Sequence, residues 1–201
     1  MGKRVLLFVL MLMVKQGEFW STKTFENPKF TIITRSEWGA QPPKGNVGSL
    51  KTLPATYVVI HHAASLSCTN RAICQARIRT IQNFHMKTEK LQDIGFNFLV
   101  GEDGNVYEGR GWEKAGAHAE NFNDKSIGIC VIGNFDKTSP SHATLAAIKN
   151  LISHGVSQGK LNSQYILIGH RQAETLSCPG HYLYQLIQTW SHWRKISQNA
   201  A

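Results

Sequence analysis

The segment Y-I-L-I-G-H-R-Q-A-E-T-L-S-C-P-G, residues 165–180, sets an apolar run against a histidine and, eight residues later, a cysteine. Residues 165–168 read as a fully buried strand, and Pro179 with Gly180 opens what reads as a helix just after Cys178. His170 and Cys178 therefore sit at the ends of elements that flank one loop, where binding and catalytic groups concentrate. Imidazole and thiolate both suit zinc, and a third donor stands at His61, where another apolar run, residues 57–60, ends in His61 and His62. Three protein donors leave one position open, which is the arrangement of catalytic rather than structural zinc sites. A cysteine just ahead of a helix N-terminus is expected to have its thiolate stabilised by the helix dipole.

Outward from this loop, strands and helices alternate. The unbroken apolar run leading to His61 fits a central strand covered on both faces. Between residues 72 and 88, Cys74, Ile78, Ile81 and Phe84 recur at helical spacing and form the apolar side of an amphipathic helix. His85 and Met86 near its end read as packing and solvent residues. Residues 96–100 and 106–108 are short strands around Glu102, Asp103, Gly104 and Asn105, a hairpin signal. Trp38, in an irregular stretch ahead of Pro42 and Pro43, reads as a lid on the core. Residues 126–135 form another apolar strand. Ser139 and Pro140 then cap a second helix that carries Leu145, Ile148, Leu151, Ile152 and Val156 and ends at Gly159. Leu183, Leu186, Ile187 and Trp190 share one face of a third. With no repeat or linker between them, these elements make a single α/β domain over residues 31–195.

The chain has 201 residues, enough for one sizeable core. Lys3 and Arg4 precede an apolar run over residues 5–14 that Lys15 closes. The run is too short to span a bilayer and has the form of a secretory signal. Residues 1–20 are read as signal peptide and lead-in, with no A-x-A site to mark cleavage and an uncleaved anchor as the alternative. Secretion to the extracellular space, without stable membrane insertion, is the expectation. The net charge of +9 favours an anionic partner such as a bacterial envelope polymer or acidic lipid. Basic residues are scattered, in runs no longer than two and without interleaved aromatics, which argues against nucleic acid. Cys68 and Cys74 flank a turn into the first long helix and either pair, in an oxidising compartment, or remain two thiols. Cys130 reads as a buried free thiol. Cys178 is then unpaired in a secreted chain, and metal ligation supplies a reason for it.

The blocks V-V-I-H-H-A-A at residues 58–64, D-I-G-F-N-F-L-V at 93–100, D-G-N-V-Y-E-G-R-G-W at 103–112, G-A-H at 116–118, S-I-G-I at 126–129 and G-H-R-Q…C-P-G at 169–180 resemble those of the peptidoglycan recognition proteins. These are relatives of phage-type zinc amidases. The resemblance implies a central mixed β-sheet flanked by three helices, a Cys68–Cys74 disulfide, and a groove for muramyl peptide with Zn²⁺ held by His61, His170 and Cys178. It implies hydrolysis of the N-acetylmuramoyl-L-alanine amide, with Arg110, Trp112, His118, Lys90 and Leu91 among the groove residues. Two departures stand out. Amidase members have tyrosine where this chain has Phe96, and threonine or lysine where it has Leu176. Arg110 goes in the family with diaminopimelate-type peptidoglycan, whereas Lys90 and Leu91 stand where that type carries Gly-Trp. A second reading is therefore a non-catalytic immune sensor that captures muramyl peptide and signals through a partner. A third is a thiol hydrolase in which His170 activates Cys178.

Overall fold

The computed structural model describes residues 31–196. The expected signal segment lies outside them. Six strands form one mixed sheet: β1 (Ile32–Ile33), β2 (Ala55–His62), β3 (Phe98–Val100), β4 (Val106–Glu108), β5 (Ser126–Val131) and β6 (Leu161–Gly169). Their order across the sheet is β1-β4-β3-β5-β2-β6. Only the β3–β4 pair, the expected hairpin, is antiparallel; the other four pairings are parallel. A parallel strand must return by a crossover, and α2 (Arg71–Lys87) lies in the one between β2 and β3 and α3 (His142–Ser157) in the one between β5 and β6, while α4 (His181–Gln188) follows the last strand.

The apolar run of β2 alternates between two environments. Val58 and Ile60 join the main core with Ile148 and Leu151 of α3 and Leu183 and Ile187 of α4. Val59 turns the other way, to Phe122 and Ile168. A further cluster joins Ile78 of α2 to Leu99, Tyr107, Cys130 and Trp38. Sheet and helices thus bury both faces, and β2 and β5 run down the middle with almost no exposure.

Several expectations need correction. The stretch after Thr34 is not irregular: Arg35–Trp38 forms a one-turn helix, α1, whose cap is reciprocal, Thr34 Oγ1 accepting from the Glu37 amide and the Glu37 carboxylate accepting from the Thr34 amide. Among the described residues there are thus four α-helices, three of them of two turns or more. Trp38 is fully buried, its indole donating to the Glu108 carbonyl at 2.8 Å, so it is a core residue rather than a lid. The cap of α3 is Ser141, whose hydroxyl accepts from the Thr144 amide. Phe84, expected on the buried side of α2, is half exposed. β6 is an edge strand, so Tyr165 and Ile166 are only partly covered and the burial expected over residues 165–168 holds for Leu167 and Ile168 alone. Cys68 and Cys74 form a disulfide, and Cys130 is a buried free thiol.

Candidate metal centre

The register of two parallel strands builds the site. Ile60 of β2 is opposite Gly169 of β6, so the next residues, His61 and His170, emerge side by side at the carboxyl ends of their strands. That edge of a parallel sheet is where α/β proteins bind ligands. The two imidazoles lie 4.2 Å apart, centre to centre. His170 opens a 3-10 turn (His170–Gln172) in which Gln172 accepts from the Gly169 amide and from the Trp193 indole. The chain then returns to the same edge. The Arg171 amide donates to the Cys178 carbonyl at 2.8 Å, the Arg171 guanidinium bonds the Ser177 carbonyl, and its plane lies over Tyr184. This clamp brings Cys178 Sγ to 3.9 Å from His61 Nδ1 and 3.4 Å from the His62 amide, which donates to it.

The metal-ligating atoms of His61, His170 and Cys178 lie within 4.8 Å of one another. Tetrahedral zinc with bonds of about 2.0–2.3 Å needs donors about 3.5 Å apart, so a small contraction closes the set. The donors fit zinc on a further ground. His170 Nε2 is buried without a hydrogen-bond partner; the Glu174 carboxylate lies 3.3 Å away but outside bonding geometry. A carboxylate beside one ring nitrogen is the usual support for a histidine that binds metal through the other.

Electrostatics favour neutral imidazoles here. Burial, then the nearby His118 and His170, push His61 well below the ordinary histidine range. Burial lowers His170 as well, outweighing the pull of Glu174. The Cys178 thiol moves the other way, pushed up to about 12 chiefly by burial. The expected helix-dipole stabilisation of its thiolate is therefore not dominant, because α4 begins only at His181 and Cys178 lies three residues outside it. A metal cation is the kind of charge that would reverse the effect.

The donors open on a groove of about 600 Å³ lined also by Phe84, His85, Leu91, Phe96, His118 and Leu176. Phe96 stands 5.2 Å from the His61 ring, and Leu176 is half exposed on the rim. Of the other expected groove residues, Leu91 and His118 line it. Lys90 is exposed at φ +59°, its ammonium donating to the Lys87 carbonyl. Arg110 lies in a neighbouring cleft of about 320 Å³ with Arg35, Asp93 and Lys114, donating to the carbonyls of Ile94 and Ala115. Trp112 is not in the groove. Its ring packs 4.4 Å from Phe98 and against Gly155 of α3, in the main core. His85, read as a packing and solvent residue, is a groove residue. Its Nδ1 accepts from the Gly95 amide at 2.9 Å, so the neutral ring carries its proton on Nε2. The signal for it was the stripe Ile78, Ile81, His85 at helical spacing, which runs the sheet-facing side of α2 into the groove.

Comparison with known proteins agrees with this geometry. The family model described as N-acetylmuramoyl-L-alanine amidase matches residues 51–181, from just before β2 to the first residue of α4. The domain is thus of the amidase class. Peptidoglycan-recognition protein SC2 of Drosophila melanogaster is 46% identical over 164 residues, 82% of this chain and 88% of that protein. The crystal structure of Drosophila peptidoglycan recognition protein SD matches with a TM-score of 0.81 and 41% identity, over 83% of this chain and 98% of that one. Peptidoglycan recognition protein LE, solved in complex with tracheal cytotoxin, a monomeric diaminopimelic acid-type peptidoglycan, matches with a TM-score of 0.81 and 45% identity, over 82% of this chain and 96% of that one. This chain belongs to the peptidoglycan recognition proteins.

Proposed function

We propose that this protein is a secreted component of innate immunity that binds bacterial peptidoglycan in the groove and hydrolyses the N-acetylmuramoyl-L-alanine amide with zinc held by His61, His170 and Cys178. The observation that carries the reading is the convergence of two neutral imidazoles and a thiol, their ligating atoms within 4.8 Å of one another, on the floor of a groove. Relatives solved with tracheal cytotoxin and with a muramyl pentapeptide support the binding half. The disulfide supports an oxidising, extracellular setting. Among the described residues no helix is long and apolar enough to cross a membrane.

Bound zinc would polarise the amide carbonyl and lower the pKa of a water toward neutrality. The chain's own residues do the rest. His61 presents Nδ1 toward Cys178 Sγ, His170 stands 4.2 Å from the His61 ring with its Nε2 beside the Glu174 carboxylate, and the His62 amide donates to Cys178 Sγ and would stabilise its thiolate. Phe84, Leu91, Phe96 and Leu176 wall the groove with apolar surface against which a bound muramyl peptide would pack. His85 offers its Nε2–H into the same space.

The sensor reading is favoured by one specific feature: at Phe96 and Leu176 the groove presents carbon where a hydroxyl or ammonium would help stabilise a developing oxyanion. The thiol-hydrolase reading loses ground, because burial pushes the Cys178 thiol up to about 12, away from the thiolate that attack needs, and the imidazole it hydrogen-bonds is His61 rather than His170. The deciding experiment is mass spectrometry of muropeptides after incubation with zinc-loaded wild type and Cys178→Ser, alongside zinc content and peptidoglycan pull-down. Free stem peptide from wild type alone is expected, with binding kept in both. Binding without release from either would leave the sensor, and release insensitive to chelator would sink the zinc mechanism. The same groove, with Arg110 in the adjoining cleft, is proposed to prefer diaminopimelate-type peptidoglycan. Arg110→Ala should then lose affinity for that type selectively.

A further inference from the structure

His118 lines the groove, yet both of its ring nitrogens face protein groups rather than the groove space. Its Nδ1 lies 3.0 Å from His61 Nε2, and its Nε2 lies 3.4 Å from the hydroxyl of Ser126, a fully buried residue at the start of β5. The ring is gripped by backbone. A Cβ on Gly128 would sit 2.3 Å from His118 Cδ2, and one on Gly116 at 2.2 Å from the same atom, so both glycines are needed for the ring to be there. The His118 amide donates to Asn123 Oδ1 at 2.7 Å, fixing the loop that carries it. The histidine of G-A-H and the serine and glycine of S-I-G-I thus form one device around the ring.

We propose that His118 is a positioning residue that holds His61 in the Nε2–H tautomer and leaves the Nδ1 lone pair facing His170 and Cys178. Two neutral imidazoles 3.0 Å apart share one proton on the line between them, and its owner decides what the far side of His61 can do. If His118 Nδ1 held the proton, His61 Nε2 would accept it and His61 Nδ1 would carry hydrogen. That nitrogen, 3.9 Å from Cys178 Sγ, could then bind no cation. If His61 Nε2 holds the proton, it donates to His118 Nδ1, and His118 in turn donates its own Nε2–H to Ser126 Oγ. Both nitrogens of His118 and His61 Nε2 then have protein partners, and His61 Nδ1 turns its lone pair to Cys178 Sγ. Metal-bound histidines generally donate their second nitrogen to such a partner, which fixes ring orientation and raises basicity. Here the partner is a second histidine rather than a carboxylate, so the orientation is imposed without adding negative charge to the floor of the groove.

The inference deepens the zinc reading, and one arm of its test is independent of metal. In metal-free, ¹⁵N-histidine-labelled wild type, with the His61 signal assigned by its loss in His61→Gln, the proton is expected on Nε2. Finding it on Nδ1 overturns the proposal. The second arm is zinc affinity, by chelator competition, for wild type, His118→Leu and His118→Asn. Leucine removes the acceptor, whereas asparagine places Oδ1 near the position of the lost Nδ1. Zinc binding about 10- to 100-fold weaker in His118→Leu and largely restored in His118→Asn is expected. Equal affinity of folded His118→Leu and wild type would overturn the proposal. Should no form bind zinc, the zinc reading fails and the tautomer measurement still decides this one. Should His118→Leu fail to fold, the wild-type tautomer decides it.

Discussion

Phe96 concentrates the question of turnover in one atom. Its ring already lies beside His61 in the groove, so a para hydroxyl would point into space rather than into packed core. Phe96→Tyr is expected to raise stem-peptide release by about 10²- to 10³-fold, the usual worth of one oxyanion donor, with zinc content unchanged. Release rates of the two zinc-loaded forms on one muropeptide check this, and equal rates would mean the ring position does not bear on the chemistry. At this scale the donors were the legible part of the site. His61 and His170 each follow an apolar strand, and Cys178 precedes Pro179 and Gly180, so their places could be inferred from punctuation alone. Trp112 and Arg110 could not. They follow β4 in a glycine-rich stretch where the chain changes direction within a few residues, and Arg110 faces a side cleft while Trp112 enters the core. His85 was hidden for the opposite reason. A histidine near the end of a helix is ordinarily a surface residue, and only the lie of α2 across the sheet edge turns it inward.

Among the elements, the loop from His170 to Gly180 does most to assemble the site, and its last residue is under the tightest constraint. Gly180 has φ +90° and caps α4, and a Cβ there would meet the Phe135 carbonyl carbon at 2.5 Å and the Asp136 nitrogen at 2.9 Å. Gly180→Ala therefore combines a disfavoured backbone with a collision against main chain, and is expected to cost about 2–4 kcal/mol. Gly159 is the matched control, at φ +65° with nothing within 4 Å, so Gly159→Ala should cost only about 1 kcal/mol. Urea midpoints of the two variants test the contrast, and zinc affinity should fall in Gly180→Ala alone, because that residue anchors the segment carrying Cys178. The alternation of strands and long helices was legible because each long element keeps its period over several turns or a whole strand. α1 was not, since four residues show no period. Its signature was instead the spacing of Thr34 and Glu37, the two halves of a capping box. The N-terminus of α3 offered Ser139 and Ser141 equally, and only the bond from the Thr144 amide separates them.

For the molecule as a whole, the groove gathers histidines that folding holds neutral, and this sets how the metal-free protein responds to acid. Burial is the leading cause in each case: it lowers His61, His62 and His170, takes His85 to about 4 and His118 to about 3. The sign follows from proton uptake. Below pH 6.5 the unfolded chain protonates these rings and the folded one does not, so unfolding takes up protons and stability falls as pH falls. The loss begins near 6.5 and continues through about 4 for His85. Each ring that stays neutral contributes up to about 1.4 kcal/mol per pH unit to the slope. Chelator-treated protein unfolded in urea should therefore lose stability steadily from pH 6.5 to 5, a window above the range where carboxylates protonate. His85→Gln, which keeps a polar side chain but cannot titrate, should flatten the slope by up to about one proton's worth. A stability that stays level across that window would show that water reaches these rings in the folded state, and that the groove floor is not the dry, neutral site its donor chemistry requires. Zinc-loaded protein should be more stable at neutral pH but lose stability more steeply as pH falls, since its unfolding would release the metal and protonate Cys178 as well as the same histidines.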